Sequence, residues 1–198
     1  GGIKVIRYGL TRNWVLGLTV VTGKGEILEL NRGMIKNATG YDLRHLFIGA
    51  EGTLGIVTKA QIKLERAPQN LTVMVFGLEE FDHVMHVLSA FQSQLDLTAF
   101  EFFDKVALDK LMATGNVQRP FETSSNYYAL LEFEAPYEPI MDKAMALFEQ
   151  CMENGWVVDG VMSQSLAQAA ELWKLRENIS ETISAVSYTH LRAHETLR

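Results

Sequence analysis

Cysteine, proline and long apolar runs are all scarce in this sequence. Its 198 residues include one cysteine, Cys151, and four prolines. A single cysteine cannot form a disulfide within its own chain, which predicts a protein of a reducing, cytoplasmic compartment. No apolar run approaches the ~20 residues that a transmembrane helix needs, so the sequence predicts no membrane span.

Positive charge is also in the minority. The chain carries 18 Lys and Arg against 24 Asp and Glu, a net charge of −6, and has no basic run, which argues against a nucleic-acid surface. Apolar residues make up 47% of the chain, too many for a disordered protein and enough for a hydrophobic core. The length predicts one large domain or two small ones.

Both ends of the sequence are unusual. The chain opens on Gly1-Gly2, without an initiator Met, directly before a predicted strand from Ile3 to Tyr8. Residues 186–196 resemble the translation of a transposase sequencing adapter. We therefore expect a fragment of a longer protein, with a non-native tail at residues 186–198 that is left out of fold reasoning.

The first 66 residues have the pattern of a small β-rich region. Apolar strands from Val15 to Leu30 flank a glycine-containing turn, which predicts a hairpin. A short helix is predicted over 41–47, with Asn37 or Thr39 as its cap, followed by a strand over 56–64. Residues 67–70, with one proline among polar turn residues, are predicted to be a linker.

From residue 71 to 185, predicted strands alternate with amphipathic helices. Their order, two β-α-β units separated by a long loop, resembles the split βαβ, ferredoxin-like plan and predicts the α+β class. The predicted strands are 71–77, 98–103, 127–134 and 156–161, and the predicted helices are 80–95, 104–113, 139–153 and 165–183.

A glycine-rich turn offers the first candidate for chemistry. Gly49, Gly52 and Gly55 lead into a strand, whereas the dinucleotide-binding fingerprint needs a different spacing and a following helix. The glycines around Lys24 do not match a P-loop either. Two interpretations stay open, a tight structural turn or a loop whose main-chain N–H groups approach a ligand closely.

Several motifs resemble those of a known family. Segments 37–43 (Asn-Ala-Thr-Gly-Tyr-Asp-Leu) and 46–58, which contains Glu-Gly-Thr-Leu-Gly, resemble the signature of FAD-linked oxidases of the vanillyl-alcohol-oxidase type. Gly1-Gly2 is similar to the end of a glycine loop in that family. Segments 99–104 and 172–180 are similar to its C-terminal cap domain. The resemblance covers about residues 1–184 in the family's order.

This resemblance has implications for fold and activity. It implies the second half of a PCMH-type FAD-binding domain at 1–66, followed at 71–185 by an incomplete ferredoxin-like α+β cap domain with an antiparallel sheet. It implies hydride transfer to FAD from a D-2-hydroxy acid, with 2-hydroxyglutarate favoured over D-lactate or glycolate. A quinone or flavoprotein would accept the electrons, and a homodimer is allowed. A divalent metal such as zinc would have its ligands, like the catalytic base, outside this chain, so we expect the fragment alone to be inactive.

The resemblance also assigns candidate site residues. It implies that FAD is held mainly by main-chain groups of the following residues: Gly1, Gly2, Glu51, Gly52, Gly55 and Ile56. Arg176, in Trp-Lys-Leu-Arg-Glu, would grip the substrate carboxylate through two parallel hydrogen bonds. Ser180 would assist, because positions i and i+4 share one face of a helix.

Other conspicuous residues have structural interpretations. His83 and His86 are expected on a solvated helix face, Asp104 as a helix cap, and Glu101 and Asp109 as surface charges. Aromatic residues at 127, 128 and 133 are expected in the core, and Cys151 as a small buried hydrophobe. An alternative from another class remains, a non-catalytic ferredoxin-like interaction domain in which the glycine turn is only structural.

Overall fold

The protein is described by a computed structural model that covers residues 2–34 and 36–195, with side chains up to residue 183. The chain divides into two compact units. The first unit contains Tyr8–Ala67, and the second contains Ile3–Arg7 together with the chain from Pro68 onward. The described strands and helices are β1 Val15–Thr22, β2 Ile27–Leu30, β3 Gly55–Ile62, β4 Leu71–Leu78, β5 Leu97–Asp104, β6 Tyr127–Glu134, β7 Asp159–Met162, α1 Val5–Tyr8, α2 Arg44–Phe47, α3 Asp82–Gln92, α4 Lys105–Met112, α5 Glu138–Glu153 and α6 Leu166–Glu195.

A three-stranded antiparallel sheet forms the first unit. Its strand order is β2-β1-β3, so the predicted hairpin is confirmed and β3 pairs with the other edge of β1. The sheet buries only a small apolar cluster, made of Val15, Leu18, Val20 and Leu30. Every residue of β3 after Gly55 is exposed, including the apolar side chains of Val57 and Ile62.

The second unit is built on a four-stranded antiparallel sheet with the order β5-β6-β4-β7. Helices cover both of its faces, which is why seven consecutive residues of β4, Thr72 to Leu78, are buried. Even-numbered residues of β4, such as Phe76, join a core with α3 and α5. Odd-numbered residues, such as Val75, join a second core with α4 and α6. The alternation of side chains along a strand assigns each residue to one of these cores.

The segment before β1 differs from its prediction. Ile3 to Tyr8 was expected to be a strand, but it forms a helical turn in which the Arg7 N–H donates to the Lys4 carbonyl oxygen at 3.2 Å. The turn closes a backbone hydrogen bond within itself, so it needs no neighbouring strand. Apolar Ile3 and Ile6 pack against the two cores of the second unit instead.

The short helix α2 is shorter than predicted, and neither Asn37 nor Thr39 caps it. The carboxylate of Asp42 accepts from the Arg44 backbone N–H and binds its guanidinium. That guanidinium holds the pKa of Asp42 below its usual value. Asp42, two residues before the first helical residue, thus binds the first N–H of the helix in place of the predicted Asn37 or Thr39.

Two other predictions of the fold are confirmed. Asp104 caps α4, since its Oδ1 accepts from the Ala107 N–H at 2.7 Å. Cys151 is fully buried on α5, and burial raises the pKa of its thiol to about 11. At neutral pH this cysteine is therefore a protonated, apolar core residue.

Candidate functional site

Arg176 lies on α6, the long helix that covers one face of the second sheet. Residues around it, Leu172, Leu175 and Ile179, are buried in the core, so the helix is fixed in its rotation. The side chain of Arg176 is 30% exposed and its Nε–H donates to Glu101 Oε2, with 2.8 Å between the two atoms. A guanidinium has five donors, so this bond leaves donors of its outer edge for a further carboxylate.

Glu101 was expected to be a surface charge, and this prediction was wrong. It lies on β5 at the same parity as the buried Ala99 and Phe103, so its side chain is directed towards α6. Only 20% of its side chain is exposed, and it faces Arg176. Positions 99, 101 and 103 lie on the same face of a strand, and this alternation could have revealed the orientation of Glu101 from the sequence.

Ser180 lies one helical turn after Arg176 and is exposed. Its position on α6 places it on the same side of the helix as the guanidinium. Its role as an assisting hydroxyl stays a prediction.

A buried carboxylate fixes the helix just before Arg176. Glu132, in the middle of β6, is 3% exposed and its Oε2 accepts from Trp173 Nε1 at 2.8 Å. Its Oε1 contacts the Thr98 hydroxyl and the Lys4 ammonium. The same ammonium lies over the Trp173 ring, 5.0 Å from its centroid. Sequence reasoning missed this cluster, although an acidic residue inside an otherwise apolar strand indicated a buried partner.

The cluster has two structural consequences. The bond between Trp173 and Glu132 connects α6 to the sheet three residues before Arg176, so it restricts sliding and rotation of the helix on the sheet. The cluster also ties Lys4, two positions after Gly2 in the chain, to the second unit. The segment that follows the predicted flavin-bordering glycines is thereby anchored by an ion pair.

In the first unit, the glycine-rich turn adopts left-handed backbone conformations. Glu51 has φ 50° and Gly52 has φ 80°, and the Thr53 N–H donates to the Ala50 carbonyl oxygen at 3.0 Å. Among the described residues, no hydrogen bond is recorded for the N–H groups of Gly52 and Leu54. These exposed donors can therefore bind an acceptor on a ligand.

Gly55 and Ile56 follow this turn at the start of β3. A Cβ at Gly55 would lie 2.7 Å from the Val21 carbonyl oxygen, so only glycine allows β3 to approach β1 so closely there. The side chain of Ile56 is 63% exposed and offers an apolar contact beside the open N–H groups. Gly2 is described and exposed, whereas Gly1 lies outside the described residues.

The close approach at Gly55 leads to a stability prediction. Gly55→Ala is expected to destabilise the first sheet by about 1–3 kcal/mol, because the added methyl group overlaps the backbone of β1. Hydrogen exchange of the β1 peptide measures this loss. Gly23→Ala is the matched control, since a Cβ at Gly23 meets no atom within 4 Å. Equal exchange in both variants would contradict the predicted overlap.

The remaining candidates do not form a second site. His86 stacks on Trp156, with ring centroids 4.9 Å apart, and His83 Nδ1 is buried with no hydrogen-bond partner among the described residues. The prediction of a solvated helix face is thus only partly correct for His83 and His86.

Asp109 is partly exposed, with 41% of its side chain accessible to solvent. Its bonds to Lys105 and Arg119 hold its pKa below the usual value.

The described part of the chain has neither a cluster of metal ligands nor a helix that could cross a membrane. It contains no group of three or more His, Cys, Asp or Glu side chains arranged to hold a metal ion. None of its helices combines the length and apolar character needed to cross a membrane.

Comparison with known proteins places these features in context. Residues 67–194 match the family model described as FAD linked oxidases, C-terminal domain. The chain is 65% identical over 184 residues to a D-2-hydroxyglutarate dehydrogenase of Stutzerimonas stutzeri, covering 93% of this chain and 40% of that protein. It is 55% identical over 184 residues to a protein of the same name from Xanthomonas citri, covering 93% of this chain and 39% of that protein.

A solved structure shares the fold. An alkyldihydroxyacetonephosphate synthase superimposes with a TM-score of 0.60 at 22% identity, covering 88% of this chain and 34% of that one. The chain spans about 40% of the length of the two D-2-hydroxyglutarate dehydrogenases that it matches.

Proposed function

The chain belongs to the family of FAD linked oxidases, whose C-terminal domain it carries, and we propose that it is part of an FAD-dependent dehydrogenase that oxidises D-2-hydroxyglutarate to the 2-oxo acid. The observation that carries this proposal is the 65% identity, over 93% of the chain, to a D-2-hydroxyglutarate dehydrogenase. The geometry around Arg176 supports it, because a partly buried arginine side chain whose Nε is held by Glu101 suits an anionic substrate.

Arg176 would bind a carboxylate of the substrate through its outer N–H groups. Two parallel charge-assisted hydrogen bonds orient a carboxylate rigidly, so the hydroxyl-bearing carbon is presented in one direction. Ser180, one turn further along α6, would donate a third hydrogen bond from its hydroxyl. The residue that removes the hydroxyl proton is proposed to lie outside this chain.

FAD, when bound, would accept the hydride released from the α-carbon of the substrate. The turn at residues 51–56 fits part of such a cofactor. Gly52 and Leu54 offer open N–H donors to polar cofactor atoms, and Ile56 offers an exposed apolar side chain. Gly1, Gly2, Glu51 and Gly55 are proposed to border the cofactor through their main chain.

The finer fold assignment belongs to this proposal. We assign residues 1–66 to the second half of a PCMH-type FAD-binding domain, 67–70 to a linker, 71–185 to a ferredoxin-like cap domain, and 186–198 to a non-native tail. The sheet order β5-β6-β4-β7, with α3 and α5 on one face, supports the ferredoxin-like plan. The exposed apolar residues of β3 support a missing half-domain that packs there in the full-length protein.

Other parts of the proposal rest on the resemblance or, for the compartment, on the single cysteine. The electron acceptor would be a quinone or another flavoprotein, and the protein would be cytoplasmic and could form a homodimer. A zinc site in the full-length protein would take its ligands from outside this chain.

A chimera tests the proposal. In it, the matching part of this chain, without residues 186–198, replaces its 184-residue counterpart in the S. stutzeri relative, which supplies the remainder of the protein. We expect the purified chimera to contain FAD and to oxidise D-2-hydroxyglutarate with a higher kcat/KM than D-lactate or glycolate. A chimera that folds without FAD, or that prefers another substrate, would contradict the proposal and in the first case favour the non-catalytic alternative.

A further inference from the structure

We propose that Glu101 is a positioning residue for the substrate-binding arginine: it holds the Nε edge of Arg176 so that the outer Nη pair faces the substrate carboxylate. This inference rests on the proposed function. It starts from the 2.8 Å hydrogen bond between Arg176 Nε and Glu101 Oε2, which connects α6 to β5.

Both partners of this bond are on rigid elements. Glu101 is in the middle of β5, whose neighbours Ala99 and Phe103 are buried. Arg176 follows Leu175, which is 1% exposed, and comes three residues after Trp173, which Glu132 anchors. A carboxylate fixed on a strand therefore meets a guanidinium fixed on a helix, and neither backbone can shift without disturbing a core.

The edge of the guanidinium that Glu101 binds determines which N–H groups remain available for a substrate carboxylate. A planar guanidinium presents one fork that includes Nε and another formed by the two Nη atoms. Because Nε is engaged by Glu101, the Nη fork is the edge left for parallel hydrogen bonds to a substrate carboxylate. The flexible arginine side chain is held in one orientation before substrate arrives, which reduces the entropy lost on binding.

A competing hypothesis predicts the opposite change in substrate binding when the Glu101 carboxylate is removed. If Glu101 instead blocked Arg176 until substrate displaced it, removing the carboxylate would tighten substrate binding. If Glu101 positions Arg176, removing the carboxylate weakens binding, and an acceptor of the same length should preserve it.

The test uses Glu101→Ala and Glu101→Gln in the FAD-containing chimera. We expect Glu101→Ala to raise KM for D-2-hydroxyglutarate about 10-fold with unchanged flavin content, because a charge-assisted hydrogen bond orients the guanidinium. Glu101→Gln keeps an acceptor oxygen and is expected to change KM less than about 3-fold. In an Arg176→Ala background, Glu101→Ala should have no further effect.

Controls separate this inference from the proposed function. Glu171→Ala removes another carboxylate, one that bonds Lys174 on α6 at 2.6 Å, and should leave KM unchanged. If Arg176→Ala raises KM but Glu101→Ala leaves it unchanged or lowers it, the positioning role is wrong while the proposed function stands. If Arg176→Ala itself leaves KM unchanged, the substrate site of the proposed function is wrong.

A shortened acid covers the case in which Glu101→Ala does not fold. Glu101→Asp keeps the charge but withdraws the oxygen atoms from Arg176 by one methylene. We expect it to raise KM about 3-fold, since the hydrogen bond is lengthened. An unchanged KM in this variant would overturn the positioning role.

Discussion

Arg176→Ala in the chimera is expected to lower kcat/KM for D-2-hydroxyglutarate about 100- to 10,000-fold. The variant loses two charge-assisted hydrogen bonds to the substrate carboxylate, each of which contributes about 1.5–3 kcal/mol. Steady-state kinetics measure the change, and absorbance of the purified protein measures its flavin content. Flavin content should stay at the parent level, because the proposed cofactor contacts are in other parts of the chain, at residues 1–2 and 51–56.

Lys174→Ala is the matched control for Arg176→Ala. Lys174 is a cation two residues earlier on the same helix, and it pairs with Glu171. Its removal should leave kcat/KM within about 2-fold, because exposed ion pairs contribute little. Equal losses in both variants would show a general effect of charge or folding and would contradict a specific role for Arg176.

Glu132→Ala is expected to destabilise the second unit by about 3–5 kcal/mol. The substitution leaves the Lys4 ammonium without its carboxylate and the Trp173 N–H and Thr98 hydroxyl without their acceptor, all close to the core. Urea unfolding followed by far-ultraviolet circular dichroism measures the free energy of unfolding.

Two further variants serve as comparisons for the destabilisation by Glu132→Ala. Glu132→Gln keeps an acceptor for Trp173 but not the charge facing Lys4, so its destabilisation should be smaller than that of Glu132→Ala. Glu149→Ala, on an exposed position of α5, should change the free energy of unfolding by less than about 0.5 kcal/mol. A loss for Glu132→Ala as small as that for Glu149→Ala would show that the cluster does not stabilise the unit.

The local structure of the second unit could be predicted closely from the sequence. The strand predicted over 127–134 coincides with β6, and the helix predicted over 139–153 lies within α5. Strand β6 is buried on both faces, one in each core, and α5 buries one apolar stripe in the core that it shares with α3. In such segments the pattern of side chains and the tertiary structure favour the same conformation.

Partners distant in sequence could not be predicted in this way. The bond between Glu101 and Arg176 connects residues 75 positions apart, and the one between Glu132 and Trp173 connects residues 41 apart. The segment Ile3 to Tyr8 has the composition of a strand, but it contains a helical turn, and its Ile3 and Ile6 pack on the two cores of the second unit. Local propensity was overruled by tertiary contacts in that segment.

The glycine turn is an intermediate case. Its spacing alone left a structural turn and a ligand-binding loop open. The structure shows that the glycines of the turn differ in their surroundings. Gly55 is required for the close approach to β1, whereas Gly52 is exposed and has an open N–H. The sequence pattern does not distinguish these roles, because they depend on what lies beside each residue.

Anaerobic mixing of the FAD-containing chimera with D-2-hydroxyglutarate tests the central claim most directly, because it observes flavin reduction by substrate without an electron acceptor. We predict loss of the visible flavin absorbance with the D enantiomer, no comparable loss with the L enantiomer, and reduction slowed at least about 100-fold in Arg176→Ala. A folded, flavin-containing chimera that D-2-hydroxyglutarate does not reduce, or an Arg176→Ala variant reduced as fast as its parent, would contradict the claim.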